Sequence, residues 1–172
     1  MTQPGGPDGR PLARDLAREA SDVLNYNQQL VQFADSKAGT LILINSLFVA
    51  SMGAGSVAAS GPLVEMIRGL TVLASAAAVV LCLVVVMSRQ EMPAQARADL
   101  LFFADILKRP NASHYASEFV RTPVEVQVDD MLHRTYVLAR IAQRKFQTYG
   151  QAQTVTAFSG TLWLLVHLAG IF

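Results

Sequence analysis

The chain has 172 residues, 52% of them hydrophobic and only 16% charged, with a formal net charge of +1. The length bounds it to one domain or two small ones, the apolar excess excludes a disordered chain, and the balanced charge leaves no basic excess for nucleic acid. A lone cysteine, Cys82, excludes an internal disulfide and a cysteine-built zinc site, and His114, His133 and His167 stand at no metal-ligand spacing, so neither metal nor cofactor is expected.

In chain order, residues 1–10 (MTQPGGPDGR) read as a disordered tail, because Gly and Pro dominate them. Residues 11–37 carry Leu12, Leu16, Val23, Leu24, Leu30, Val31 and Phe33 at helical spacing and predict a cytoplasmic helix. Nothing stops that helix before residues 38–58, an uncharged apolar stretch long enough to cross a bilayer core, which takes about 20 residues of helix. It lies too far into the chain, behind too polar a segment, for a cleavable signal peptide. A short external link (59–68) leads to a second apolar stretch (69–88), and a third spans 153–172, with His167 its one ionisable group. Between them, residues 89–152 read as a cytoplasmic helical region. The fold class is therefore an all-α integral membrane protein, with three transmembrane helices and a helical cytoplasmic bundle formed by extensions of the spans.

Orientation follows from the basic residues. Thirteen of the fourteen Lys and Arg precede the first stretch or lie between the second and third, and only Arg68 falls in the 59–68 link. By the positive-inside rule the N-terminus is cytoplasmic and the C-terminus external. In the 89–152 region, Pro93 opens a helix through AQARADLLFFADILKR, RPNAS (109–113) is a turn, and Thr122-Pro123-Val124-Glu125 joins a capping box to a Pro at the first helical position. The helix so started carries Val128, Met131, Leu132, Leu138, Ile141 and Phe146 and continues into the third stretch. VEVQV (124–128) alternates briefly, but the capping box before it argues for helix.

No nucleophile elbow, P-loop, dinucleotide fingerprint, HExxH or CxxC occurs. Asp129 and Asp130 are adjacent, and neighbouring helix positions do not share a face. His114 and His133 read as ordinary packed or exposed residues. No enzyme activity is expected.

Two polar groups stand out. Gln28, Gln29, Gln32, Asp35, Ser36 and Lys37 lie where the first helix meets the membrane. A charge near hydrocarbon is costly unless partnered, so either Asp35 stays in headgroup water while Lys37 snorkels, or Asp35 accepts hydrogen bonds in a polar pocket. Arg134, Arg140, Arg144 and Lys145 precede the third stretch. Arg140 and Arg144 share a helix face, fitted either to hold anionic lipid or to hold a phosphate by guanidinium contacts. Aromatic rings for stacking a base are offered by Tyr26, Phe102, Phe103, Tyr136 and Phe146. Within the apolar stretches small residues recur every fourth position (Ser46, Ala50, Ala54 and Ala58; Ala74, Ala78 and Cys82), a pattern that lets helices approach closely, within one chain or between chains.

Three phrases in order, Gln32-Phe33-Ala34-Asp35-Ser36-Lys37-Ala38-Gly39, Leu101-Phe102-Phe103-Ala104-Asp105-Ile106 and Ile141-Ala142-Gln143-Arg144-Lys145-Phe146, resemble the F-A-D-x-K-A, YFxxI and IAxxKY phrases of the transmembrane effectors of bacterial Pycsar anti-phage systems. Phe102 and Phe146 replace tyrosines of that pattern, keeping the ring and losing the hydroxyl. The resemblance covers residues 25–165 and implies Asp35, Lys37, Phe103 and Lys145 as family positions. It also implies a multi-pass protein of the bacterial inner membrane, functionally linked to a pyrimidine cyclase. Such an effector senses a cyclic pyrimidine mononucleotide, cUMP or cCMP, and impairs membrane integrity, causing abortive infection. On this expectation the ligand-binding candidates are Gln28, Gln32, Asp35, Lys37, Phe103, Arg140, Arg144 and Lys145. The partners are the cyclic nucleotide, membrane lipid and further copies of the chain, and not nucleic acid. The alternative is a ligand-independent membrane scaffold or interaction protein. A small channel or transporter ranks behind both, since only Asn45 and His167 offer polar side chains of that kind in mid-span.

Overall fold

The computed structural model describes residues 13–54, 61–87, 100 and 103–169. Among them all regular structure is helical: α1 (Ala13–Ala54), α2 (Pro62–Met87), α3 (Phe103–Ile106), α4 (Ala112–Arg121) and α5 (Val124–Ala169). The 1–10 tail and Pro93 lie outside the described residues. So does half of the segment after Pro93, of which only Phe103–Ile106 is seen as helix. The chain divides into two compact units. One takes residues up to Leu30 together with Gln90–Ile141, and the other takes Val31–Arg89 with Ala142–Phe172. The two long helices α1 and α5 each contribute to both.

In the first unit, α4 begins inside the RPNAS segment (109–113) that the sequence reads as a turn. Its start is a side-chain cap: Asn111 holds extended backbone, and its Oδ1 accepts the His114 amide at 2.8 Å. Arg109, from the turn after α3, lays its guanidinium along Glu118 of α4, with Nε to Oε2 at 2.9 Å and Nη2 to Oε1 at 3.3 Å. Its Nη1 donates to the Asp105 carbonyl. Tyr115 donates its hydroxyl to the Leu100 carbonyl at 3.0 Å, and its ring sits 6.0 Å from that of Phe119. The predicted capping box works differently from expectation. The Thr122 hydroxyl donates back to Glu118 O at 2.8 Å and so ends α4, while Gln127 Nε2 donates to the Phe119 and Thr122 carbonyls. The sharp α4–α5 junction is thus fastened from both sides.

The second unit packs the C-terminal part of α1, all of α2 and the C-terminal part of α5 against one another. α1 and α2 are long and apolar enough to cross a membrane. Only 22% and 28% of their apolar windows are buried, unlike the mostly buried core helix of a soluble protein. α2 already begins at Pro62, inside the 59–68 link. Buried positions follow a three-then-four alternation: 34, 38, 41, 45 and 52 on α1, 71, 75, 78, 82 and 85 on α2, and 142, 145, 152, 156, 159 and 166 on α5. That spacing averages 3.5 residues, the repeat of a left-handed supercoil. The residues at these positions are mostly small or polar, whereas Leu43, Leu47, Leu73, Val84, Phe158 and Leu165 point outward. Ala78 and Cys82 lie in the seam as small-residue packing requires, but Ser46 and Ala50, the described part of the small stripe on α1, face outward.

Trp163 marks one level of this bundle. It stacks on Phe48 with ring centroids 5.5 Å apart, and its Nε1 donates to Ser51 Oγ at 2.6 Å. Gly160 permits the close approach, since a Cβ there would stand 3.3 Å from the Phe48 ring. Removing the hydroxyl acceptor with Ser51→Ala is expected to cost about 1 kcal/mol, the ordinary net contribution of a hydrogen bond. A small shift in the midpoint of sodium dodecyl sulfate unfolding, followed by the emission of Trp163, checks it.

Candidate functional site

The site is built where three helices of the second unit meet. Asp35 lies in the phrase that runs into the apolar part of α1, and Lys145 lies on α5. Lys145 Nζ donates to Asp35 Oδ1 at 2.5 Å and to the Val85 carbonyl of α2 at 2.6 Å. Val85 falls in the last turn of α2, where backbone carbonyls have no partner further along the helix. A cation there both fills the hydrogen bond and meets the negative end of the helix dipole. The Lys145 side chain is 5% exposed and that of Asp35 is 35% exposed, so the ammonium is taken from solvent while the carboxylate keeps an edge toward it. The sequence left Asp35 between headgroup water and a partnered state. It is partnered, and its partner is another of the candidate residues.

Below this ion pair the seam carries Ala38, Leu41, Cys82, Val85 and Ala152 as an apolar layer. Next come polar ties. Asn45 Nδ2 donates to Thr156 Oγ1 at 2.8 Å. The Ser75 and Ser159 hydroxyls share a 2.5 Å hydrogen bond, and Ser159 Oγ also donates to the Thr71 carbonyl at 3.3 Å. At the α2 start, Arg68 donates to the Met52 carbonyl of α1 at 2.5 Å and to Glu65 at 3.1 Å. Sequence reading noted Asn45 only as a mid-span amide and did not single out Ser75, Thr156 or Ser159. Their signal was the heptad spacing of small polar residues, which a search for apolar stripes passes over.

The other candidates are distributed as follows. Gln32, Lys37 and Arg144 are exposed on the second unit, with the Lys37 ammonium 4.6 Å from the Phe33 ring centroid and 6.0 Å from that of Tyr149, a cation–π arrangement. Gln28 and Arg140 are exposed on the first unit, and the Arg140 guanidinium lies 5.9 Å from the Tyr136 ring centroid. Phe103 opens α3, but its side chain and the whole of Phe102 lie outside the described residues. Among the described residues, then, Asp35 and Lys145 are the candidates joined to each other by a hydrogen bond and ion pair. No group of three or more His, Cys, Asp or Glu that would hold a metal ion occurs among them.

The family model of the Pycsar effector protein domain matches residues 19–171. This chain belongs to the Pycsar effector family. No curated protein and no solved structure matches it. As a Pycsar effector it is a membrane effector of anti-phage defence, in a family tied to cyclic-pyrimidine signalling. All three phrases that carried the resemblance, and the Asp35–Lys145 pair, lie inside the matched region.

Proposed function

We propose that this Pycsar effector senses a cyclic pyrimidine mononucleotide, cUMP or cCMP, through its cytoplasmic helices and impairs inner-membrane integrity, stopping growth of the infected cell. In this reading the C-terminal part of α5 is a third span beside α1 and α2, the first unit is the cytoplasmic bundle, the N-terminus is inside and the C-terminus outside. A pyrimidine cyclase supplies the messenger, and copies of the chain associate in the lipid. The observation that carries the reading is the continuity of α1 and α5. Each runs unbroken from residues of the first unit into the second, so a change of helix packing has a covalent route to the membrane. A messenger shifts that packing only by its differential affinity, so the resting arrangement binds it worse.

The exposed cations Lys37, Arg140 and Arg144 are the candidates for its phosphate, the amides of Gln28 and Gln32 for ribose and base edges, and Phe103 for stacking. Asp35 and Lys145 act as a brace that positions helices, because the ammonium is already spent on two partners. The ligand-independent scaffold is the reading this must beat. Purified full-length protein is expected to melt several degrees higher with saturating cUMP or cCMP than with AMP, and Arg140→Glu/Arg144→Glu is expected to abolish the rise. A scaffold shows no nucleotide-specific shift.

A further inference from the structure

We propose that the lesion this effector makes opens inside each chain, along the polar seam between α1, α2 and the C-terminal part of α5, whose hydroxyls and amide become the wall of an aqueous path. The proposal rests on the membrane-impairing reading above and names the route. Three observations carry it. First, the side chains are sorted with polarity inward: Asn45, Thr71, Ser75, Thr156 and Ser159 are all buried, while large apolar side chains cover the outside. Between lipid-facing helices, a polar group finds partners only within the protein. Second, the seam is incompletely satisfied. Asn45 is 0% exposed, and its Oδ1 accepts no hydrogen bond while its Nδ2 donates to two acceptors. A buried carbonyl oxygen without a donor is costly, and water entering beside it removes that cost. The closed seam is therefore biased toward hydration. Third, the closed form is held at one end by Lys145, which ties α5 to both α1 and α2. Loss of that tie is what parting of the helices requires.

The experiment needs no nucleotide. Cys82 is the chain's one cysteine and is wholly buried in the seam, so it reports water entry by reaction with a charged, membrane-impermeant methanethiosulfonate. Lys145→Glu sets a second carboxylate against Asp35 and the Val85 carbonyl, which disfavours the closed form by roughly a hundredfold or more. Full-length protein is placed in phosphatidylethanolamine–phosphatidylglycerol vesicles loaded with a self-quenched dye. Cys82 labelling is read by mass spectrometry and insertion by flotation. The expected result is that wild type is sealed and unlabelled, that Lys145→Glu leaks and labels together, and that Asp35→Lys/Lys145→Glu, which re-pairs α1 with α5 but leaves a carboxylate facing the Val85 carbonyl, leaks and labels clearly less than Lys145→Glu. Adding Asn45→Leu to Lys145→Glu slows leakage. Inserted, helical Lys145→Glu protein that leaks without labelling Cys82, or stays sealed, overturns the proposal. A parallel arm with cUMP and cCMP on wild type separates the two claims. Leakage with Cys82 unlabelled refutes the seam and leaves the effector reading standing. No response to either nucleotide, beside a leaking and labelled Lys145→Glu, refutes the messenger and leaves the seam.

Discussion

Lys145→Met is expected to destabilise the three-helix packing of the second unit by roughly 3 kcal/mol, the low end for breaking a buried ion pair. The low end applies because Asp35 is 35% exposed and water screens part of its charge. The apolar stem of Met replaces that of Lys, so packing changes little. What is lost is the donor shared by the Asp35 carboxylate and the Val85 carbonyl. The carboxylate then loses its cation, and the Val85 carbonyl loses the ammonium as a donor. The test of this cause is the double variant. Asp35→Asn/Lys145→Met removes the stranded charge and is expected to cost clearly less than the sum of the two single changes. Midpoints of unfolding read from Trp163 measure all three. Additive costs indicate that the two side chains do not interact.

In the first unit the largest expected effect is that of Arg109→Ala, about 2 kcal/mol. The Arg109 side chain is 6% exposed, and its fork engages both carboxylate oxygens of Glu118. Charge-assisted bidentate pairs are roughly twice as strong as neutral hydrogen bonds, but Glu118 is 41% exposed, which discounts the pair for screening. Arg109→Lys is expected to recover little, since a single ammonium does not reproduce the fork. The hydrogen bond to Glu118 pushes the guanidinium pKa above its ordinary value. A basic group raised in the folded state contributes fully below its unfolded pKa and is lost only as pH rises through the folded one. The Arg109 contribution is therefore complete at neutral pH and vanishes only in strongly alkaline solution. Hydrogen exchange of the α4 amides against pH checks both the loss and its flatness.

How far the sequence carried the fold can be read from particular residues. The continuity of α1 and α5 was legible because the sequence places no interior proline in either helix, and apolar residues keep helical spacing throughout. α4 was not, since its ten residues are amphipathic but short, and its start depends on one side chain, Asn111. The seam was hidden for a deeper reason. Helical patterning is ordinarily read by finding the apolar face that turns inward. Here Leu43, Leu47 and Phe158 face outward and Asn45, Ser75 and Ser159 face in. Of the candidate site, Asp35 was visible as a misplaced charge and Lys145 as one of the basic group before the third stretch, but nothing in their positions, 35 and 145, announces that they touch. The backbone acceptor on α2 that completes the arrangement is invisible to any motif.

The most direct measurement is dye release from phosphatidylethanolamine–phosphatidylglycerol vesicles that hold the purified full-length protein, with cUMP, cCMP or AMP added outside to molecules whose first unit faces outward. A messenger-triggered effector predicts rapid release with one of the two cyclic pyrimidines and none with AMP. Vesicles that stay sealed at saturating concentrations of both cyclic pyrimidines contradict it.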